Sequence, residues 1–287
     1  MARATKPECD PFPPPHVSDP DKFLDVADAL DVPLDKHRTR KWIRALESLL
    51  GIRHVREGFQ SVPPAANPFE ALVHKFGLKA HSHGWPSPFP HSGALLIVAN
   101  HPMGGADALT LCNEVMKRRP DSLTIVNEML SKVPCMRTAT LPVAIMDNDA
   151  STATRNVRSM KQTLAHLKRG GCIVVFPAGS VSTWRFAAGC VADSPWSPHF
   201  AALAQRSAAQ VLPVFIHGSN PPWFHLLGAI HPKIRTLLIP LALCAASGKT
   251  VEISAKPMIA PEAYANLKPS EAIRLFFRSV HGSMLGS

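Results

Sequence analysis

The run Ala94-Leu95-Leu96-Ile97-Val98-Ala99 is uncharged, unbroken and closed by Gly93 on one side and Asn100 on the other. It is far shorter than the roughly 20 residues a membrane-crossing helix needs, and it lacks the alternation of a half-exposed strand. Such a run reads as a strand buried on both faces, which requires a layer of helices above and below it. Further strands are predicted at Leu123–Val126, Leu141–Ile145, Cys172–Phe176, Val211–Ile216 and Val251–Ala255. Helices are predicted over Ala106–Lys117, Ser151–Lys168 and Phe200–Ala208, and from Ser270 onward. The helix over 151–168 places Val157, Met160, Leu164 and Leu167 on one side and stops at Gly170-Gly171. The expected fold class is α/β: a mixed, largely parallel central sheet with helices on both faces, preceded by an N-terminal helical segment.

At 287 residues and 46% apolar composition, the chain can bury one large core or a core with an appendage. Residues 1–20, with Pro7, Pro11, Pro13, Pro14 and Pro15, read as a flexible tail. Residues 21–90 read as a helical segment to about Phe59, followed by an irregular connector from Pro63 to Pro90, and 91–287 as the α/β domain. Within the helical segment, Trp42, Ile43, Leu46, Leu49 and Leu50 share one side while Arg40, Lys41 and Arg44 share the other. That pattern suits either a helix lying on an anionic membrane or a packed helix with a solvated basic face.

A net charge of +10 points to an anionic partner: nucleic acid, lipid headgroups or an acidic carrier protein. Nucleic acid is disfavoured by a single Tyr, no zinc-finger spacing and no aromatic-basic repeat. The six cysteines are scattered without C-x-x-C spacing, so no metal site or disulfide framework is expected and a reducing cytoplasm fits. The prolines at the N-terminus interrupt any signal-peptide core, and no stretch is long and apolar enough to span a bilayer.

Three predicted strands end in polar or glycine-rich loops: Asn100-His101-Pro102-Met103-Gly104-Gly105-Ala106-Asp107, Phe176-Pro177-Ala178-Gly179-Ser180-Val181-Ser182, and His217-Gly218-Ser219-Asn220. Ligands in open α/β sheets gather beyond the carboxyl ends of strands. His101 can accept a proton near neutral pH, and Asp107 can fix its tautomer. Each loop alone serves equally as an ordinary strand-to-helix turn. No G-x-S-x-G elbow, H-E-x-x-H run or G-x-G-x-x-G turn is present, so a serine hydrolase ranks low and no redox or metal cofactor is expected.

Taken in order, these motifs resemble the PlsC-like lysophospholipid (glycerolipid) acyltransferase superfamily, and within it the bacterial hemolysin-like branch. The resemblance rests on Asn100 to Asp107, Phe176 to Ser182, Pro195-Trp196-Ser197-Pro198, Pro213 to Asn220 and Leu227 to Pro240, and spans about Leu95 to Pro261. His101 and Asp107 lie further apart than in the superfamily's His-x4-Asp, and Ala178 replaces its Glu; the branch shares both departures. Ser180 stands where the branch often carries a charge. The resemblance implies acyl transfer from an acyl-carrier-protein or coenzyme A thioester to the hydroxyl of a lysophospholipid or lyso-aminolipid, at the inner face of the cell membrane. It implies no cofactor beyond that co-substrate. His101 and Asp107 would be catalytic, with Asn100, Gly104, Gly105, Phe176, Pro177, Gly179, Ser180, His217, Gly218 and Asn220 around the substrate. The Gly179-Ser180 turn is the candidate oxyanion donor, and Arg137 and Arg185 are headgroup candidates. The other reading is a lipid-binding protein that keeps the fold without turnover. The nearly uncharged stretch Trp223–Ala246 would line an acyl tunnel, press on a bilayer, or form a buried helical pair.

Overall fold

The computed structural model describes residues 37–131, 133–143, 150–185 and 189–282. The Pro-rich tail and Ile145, at the end of one expected strand, lie outside the described residues.

Seven strands form one sheet: β1 (Lys79–His83), β2 (Leu95–Ala99), β3 (Leu123–Asn127), β4 (Thr140–Val143), β5 (Cys172–Val175), β8 (Gln210–Ile216) and β9 (Thr250–Ala255). Their order is β1-β9-β8-β2-β5-β3-β4. The five strands from β8 to β4 are parallel, β9 joins β8 antiparallel, and β1 runs parallel to β9 at the edge. The mixed, largely parallel sheet expected from the sequence is present. A separate antiparallel ribbon, β6 (Thr183–Arg185) with β7 (Cys190–Ala192), follows β5. It was not expected, because its three-residue strands are too short for a period to show.

The described helices are α1 (His37–Leu49), α2 (Ile52–Gln60), α3 (Pro68–Lys75), α4 (Gly105–Arg118), α5 (Glu128–Ser131), α6 (Ala150–Lys168), α7 (His199–Ser207), α8 (Pro222–Gly228), α9 (Pro232–Ala245) and α10 (Pro269–His281). All of β2 is buried. Leu95, Ile97 and Ala99 join a core with Phe59, Leu72, Leu111 and Val115 from α2 to α4, while Leu96 and Val98 pack with Ala204 of α7 and Phe276 of α10. This two-sided cover is the one the opening apolar run requires.

The stretch 63–90, expected to be an irregular connector, instead holds α3 and the edge strand β1. Asn67 caps α3 by accepting the Glu70 N–H at 3.3 Å, with Pro68 in the first turn, where its missing N–H costs nothing. β1, Lys-Ala-His-Ser-His, contains no β-branched or aromatic-hydrocarbon residue, so only its ladder with β9 marks it as a strand.

Arg119, at the end of α4, is almost fully buried and ties three segments together. Its guanidinium donates to the carbonyls of Pro90, Gly93 and Gly170 and to both carboxylate oxygens of Asp121. These bonds fix the entries of both β2 and β5. Arg119→Ala leaves several carbonyls without a donor and is expected to lower unfolding free energy by about 2–4 kcal/mol, read from the shift in denaturant midpoint at unchanged slope.

Candidate active site

β2 lies between β5 and β8, so the loops after these three strands converge at one sheet edge. The sheet opens there through Asn100. Its amide nitrogen donates to the Ile216 carbonyl at 2.9 Å, and its amide oxygen accepts the Ile216 N–H at 2.7 Å. The side chain thus replaces one rung of the ladder, and both polar ends are committed. Asn100 positions the loop rather than touching substrate through its amide.

His101 follows. Its Nδ1 lies 3.2 Å from Oδ1 of the fully buried Asp107, although the N–H direction misses a well-aligned hydrogen bond. The Asp107 carboxylate is itself held by backbone donors, the N–H of Met103 and that of Ala108, each at 2.7 Å. Asp107 also sits in the first turn of α4, where the helix dipole favours a negative group. Phe176 packs over the imidazole, with ring centroids 4.2 Å apart and planes tilted by 31°. The ring is therefore fixed in plane by Phe176 and oriented by Asp107.

A second carboxylate, which no sequence motif marked, supports the same loop. Asp193 accepts the His101 backbone N–H at 3.3 Å, the Ser182 hydroxyl, and the indole N–H of Trp196 at 2.9 Å. The Ser182 N–H in turn donates to the His101 carbonyl at 2.8 Å. Trp196, from the Pro-Trp-Ser-Pro motif, thereby anchors the carboxylate that holds the histidine loop. Asp193 follows β7, an element too short to show in the sequence pattern.

Burial is the strongest influence on the His101 pKa and pushes it down. The charge of Asp107 and its close polar contact with the ring, with the charge of Asp193, outweigh it and leave the pKa raised above the usual 6.5.

Gly104 adopts φ +74°, and a Cβ there would sit 2.9 Å from Val181 and 3.6 Å from Ile239; one at Gly105 would sit 3.3 Å from Leu243. The two glycines let the first loop close onto the second loop and onto α9. In the Phe176–Ser182 loop, the Pro177 carbonyl accepts the Ser197 N–H and the Gly179 N–H is given to the Phe176 carbonyl. Gly179 is therefore not a free oxyanion donor, which corrects that part of the expectation. The Ser180 N–H forms no hydrogen bond among the described residues, and its hydroxyl pairs with Ser194 at 3.0 Å.

The third loop contributes less directly than expected. His217 turns toward β9, with Nε2 2.8 Å from the Ser254 hydroxyl and its ring edge-on to Phe215. Gly218 lines, with Asn100, Pro102, Ser182 and Asp193, a cavity of about 220 Å³ beside the histidine loop. Asn220 is buried, and its amide nitrogen has no hydrogen-bond partner among the described residues. Arg137 is exposed after a short 3₁₀ turn, and none of its described contacts reaches these loops. Arg185 does reach them, donating to the Ser194 hydroxyl at 3.1 Å. Arg235 of α9, a residue the sequence did not single out, lies close enough that the positive charge of Arg185 adds to burial in lowering its pKa. Neither arginine forms an ion pair among the described residues.

The sequence matches the family model described as Acyltransferase over residues 27–266. The chain belongs to the acyltransferase family. Its structure is similar to the crystal structure of the 1-acyl-sn-glycerophosphate (LPA) acyltransferase PlsC from Thermotoga maritima, at 18% identity and a TM-score of 0.46, covering 89% of this chain and 86% of that one. No curated protein matches the sequence.

As the general base expected from the sequence, His101 would have to be neutral to accept a proton, so the rate would fall as pH drops through the raised pKa. The acid limb of kcat/KM is expected above pH 6.5. Asp107→Asn removes the larger favourable charge and moves that limb to lower pH, with a turnover loss of about 10²- to 10⁴-fold. Asp193→Asn moves it in the same direction by less. A pH–rate profile of the three proteins checks both the sign and the order, and an unmoved limb in Asp107→Asn removes that residue from the pair.

Proposed function

We propose that the acyltransferase moves a fatty acyl group from an acyl-carrier-protein or coenzyme A thioester to the hydroxyl of a lysophospholipid or lyso-aminolipid at the inner face of the cell membrane. The reading rests on His101 held by Asp107 at a three-loop junction, in a chain whose family is acyltransferase. His101 takes the acceptor hydroxyl's proton as its oxygen attacks the thioester carbonyl. The tetrahedral intermediate collapses with cleavage of the carbon–sulfur bond, and the imidazolium returns the proton to the departing thiolate. Ester and free thiol are the products, and no protein nucleophile or further cofactor enters this scheme. The Ser180 N–H is the turn's remaining donor for the oxyanion.

The acceptor's anionic headgroup is assigned to Arg185 and Arg235, two neighbouring cations without a carboxylate partner among the described residues. Contact with the bilayer is assigned to the exposed apolar residues Trp42 and Leu49 of α1, Trp184 of β6, and Leu226, Leu227 and Ile230 at the α8–α9 turn. Leu50, just after α1, packs against the same buried cluster of Val181, Phe224, Leu238 and Ala242 as Trp223 and Ile234 of the α8–α9 pair, so these elements adjoin one another. Among the described residues no helix is long and apolar enough to cross a membrane.

The deciding experiment measures thiol release and lipid products with acyl-coenzyme A and acyl-carrier protein over a panel of lysolipid acceptors. Wild type is expected to form an acceptor-dependent ester, and His101→Ala to lose at least about 10²-fold of that rate. Vesicle binding without product from any pair favours the lipid-binding reading instead. In a separate sedimentation assay with anionic vesicles, the double variant Leu226→Ser and Ile230→Ser is expected to bind several-fold more weakly than wild type. Equal binding places the membrane contact elsewhere.

A further inference from the structure

At the sheet edge away from β4, the two-residue period of β1 puts His81 and His83 on one face, and the parallel register sets His81 beside Glu252 and His83 beside Ser254 of β9. Ser82 between them points to the opposite face, where it donates to Glu114 of α4 at 2.8 Å. The two imidazoles and the Glu252 carboxylate are exposed, and one ligand atom from each lies within 4.8 Å of the others. The imidazole centroids are 5.8 Å apart.

From this geometry we infer that His81, His83 and Glu252 form a binding site for a first-row divalent cation, Zn²⁺ in the first instance, distinct from the acyl-transfer centre. Two neutral imidazoles and one carboxylate are a donor set that zinc accepts, with N and O ligands about 2.0–2.2 Å from the ion and a fourth position left for water. Closing three exposed side chains from 4.8 Å separation onto such an ion takes small rotations about their side-chain bonds. The site has a second layer already in place. Ser254 Oγ lies 2.8 Å from Nε2 of His83 and also 2.8 Å from Nε2 of His217, so one hydroxyl orients a ligand ring and is itself held by the neighbouring strand. The His217 N–H donates to the Glu252 carbonyl at 3.0 Å, which fixes the backbone carrying the carboxylate.

The cation would pin the edge strand β1 to β9. β1 has a single neighbour in the sheet and few buried side chains, so a metal clip there replaces the packing that the interior strands have.

Full-length, chelator-treated protein is titrated with ZnCl₂ by calorimetry and by thermal melting. Wild type is expected to bind one ion per chain in the micromolar range and to melt at higher temperature with zinc. His81→Ala, His83→Ala and Glu252→Gln are each expected to weaken binding at least about 10-fold, and Ser254→Ala by about 10-fold, while metal-free melting stays close to wild type. His101→Ala is expected to bind zinc as wild type does. Cobalt(II) substitution reads the ligand type: bands of a nitrogen and oxygen site without thiolate charge transfer agree with the assignment. Absence of stoichiometric zinc binding, a thiolate band, or binding that survives all three ligand variants but is lost in His101→Ala overturns it.

Discussion

The exchange between Asn100 and Ile216 is the constraint on which the site depends. A parallel sheet has no room for a ligand until two neighbouring strands part, and parting exposes a backbone donor and acceptor that must be satisfied. Asn100 satisfies both with one primary amide, which has a donor and an acceptor set at the spacing of a peptide group. β2 and β8 can then diverge immediately beyond the last rung, and His101 is the first residue past the split. An acid at this position would lack the donor for the Ile216 carbonyl, and an apolar residue would leave both groups unpaired in a buried place.

Past that split, two carboxylates share the work of holding one imidazole. Asp107 faces the ring and Asp193 faces the backbone of the same residue. A lone buried carboxylate facing a neutral histidine would be costly to desolvate. Here each is met by several donors, the Met103 and Ala108 N–H groups for one and Ser182 and Trp196 for the other. The negative potential they create is what raises the His101 pKa against burial. An imidazole so placed binds its proton more firmly than free imidazole, and in the proposed reaction a proton taken from a substrate hydroxyl would be stabilised by the charges that orient the ring.

The sequence carried the sheet because its central strands are buried on both faces, and a continuous apolar run such as 94–99 has few other uses. His101, Asp107 and the glycines were legible for a related reason: they sit immediately after such runs, where the fold class itself locates ligands. What stayed hidden lacks a period. β1 is polar throughout, β6 and β7 are three residues each, and Asp193 takes its meaning from Trp196 and Ser182, which only the folded ribbon brings to it. The roles of single atoms were also beyond sequence reasoning. That the Gly179 N–H is spent inside its own turn, or that His217 turns to Ser254, depends on torsions that residue type does not dictate.

The same close packing ties chemistry to the flank assigned to the membrane. Gly104 and Gly105 leave no space between the histidine loop and Ile239 and Leu243 of α9, and Val181 of the second loop fills the gap beside Gly104. α9 in turn packs on α8, and the turn joining them exposes Ile230, as the end of α8 exposes Leu226 and, less fully, Leu227. Interiors at this density do not absorb displacement gradually. A shift of the helical pair on meeting a lipid surface would reach Gly104 within one layer of side chains, and Asp107 lies three residues further along the same helix start. On the proposed reading, the lipid-facing flank and the loop that carries His101 and Asp107 are joined by contiguous packing.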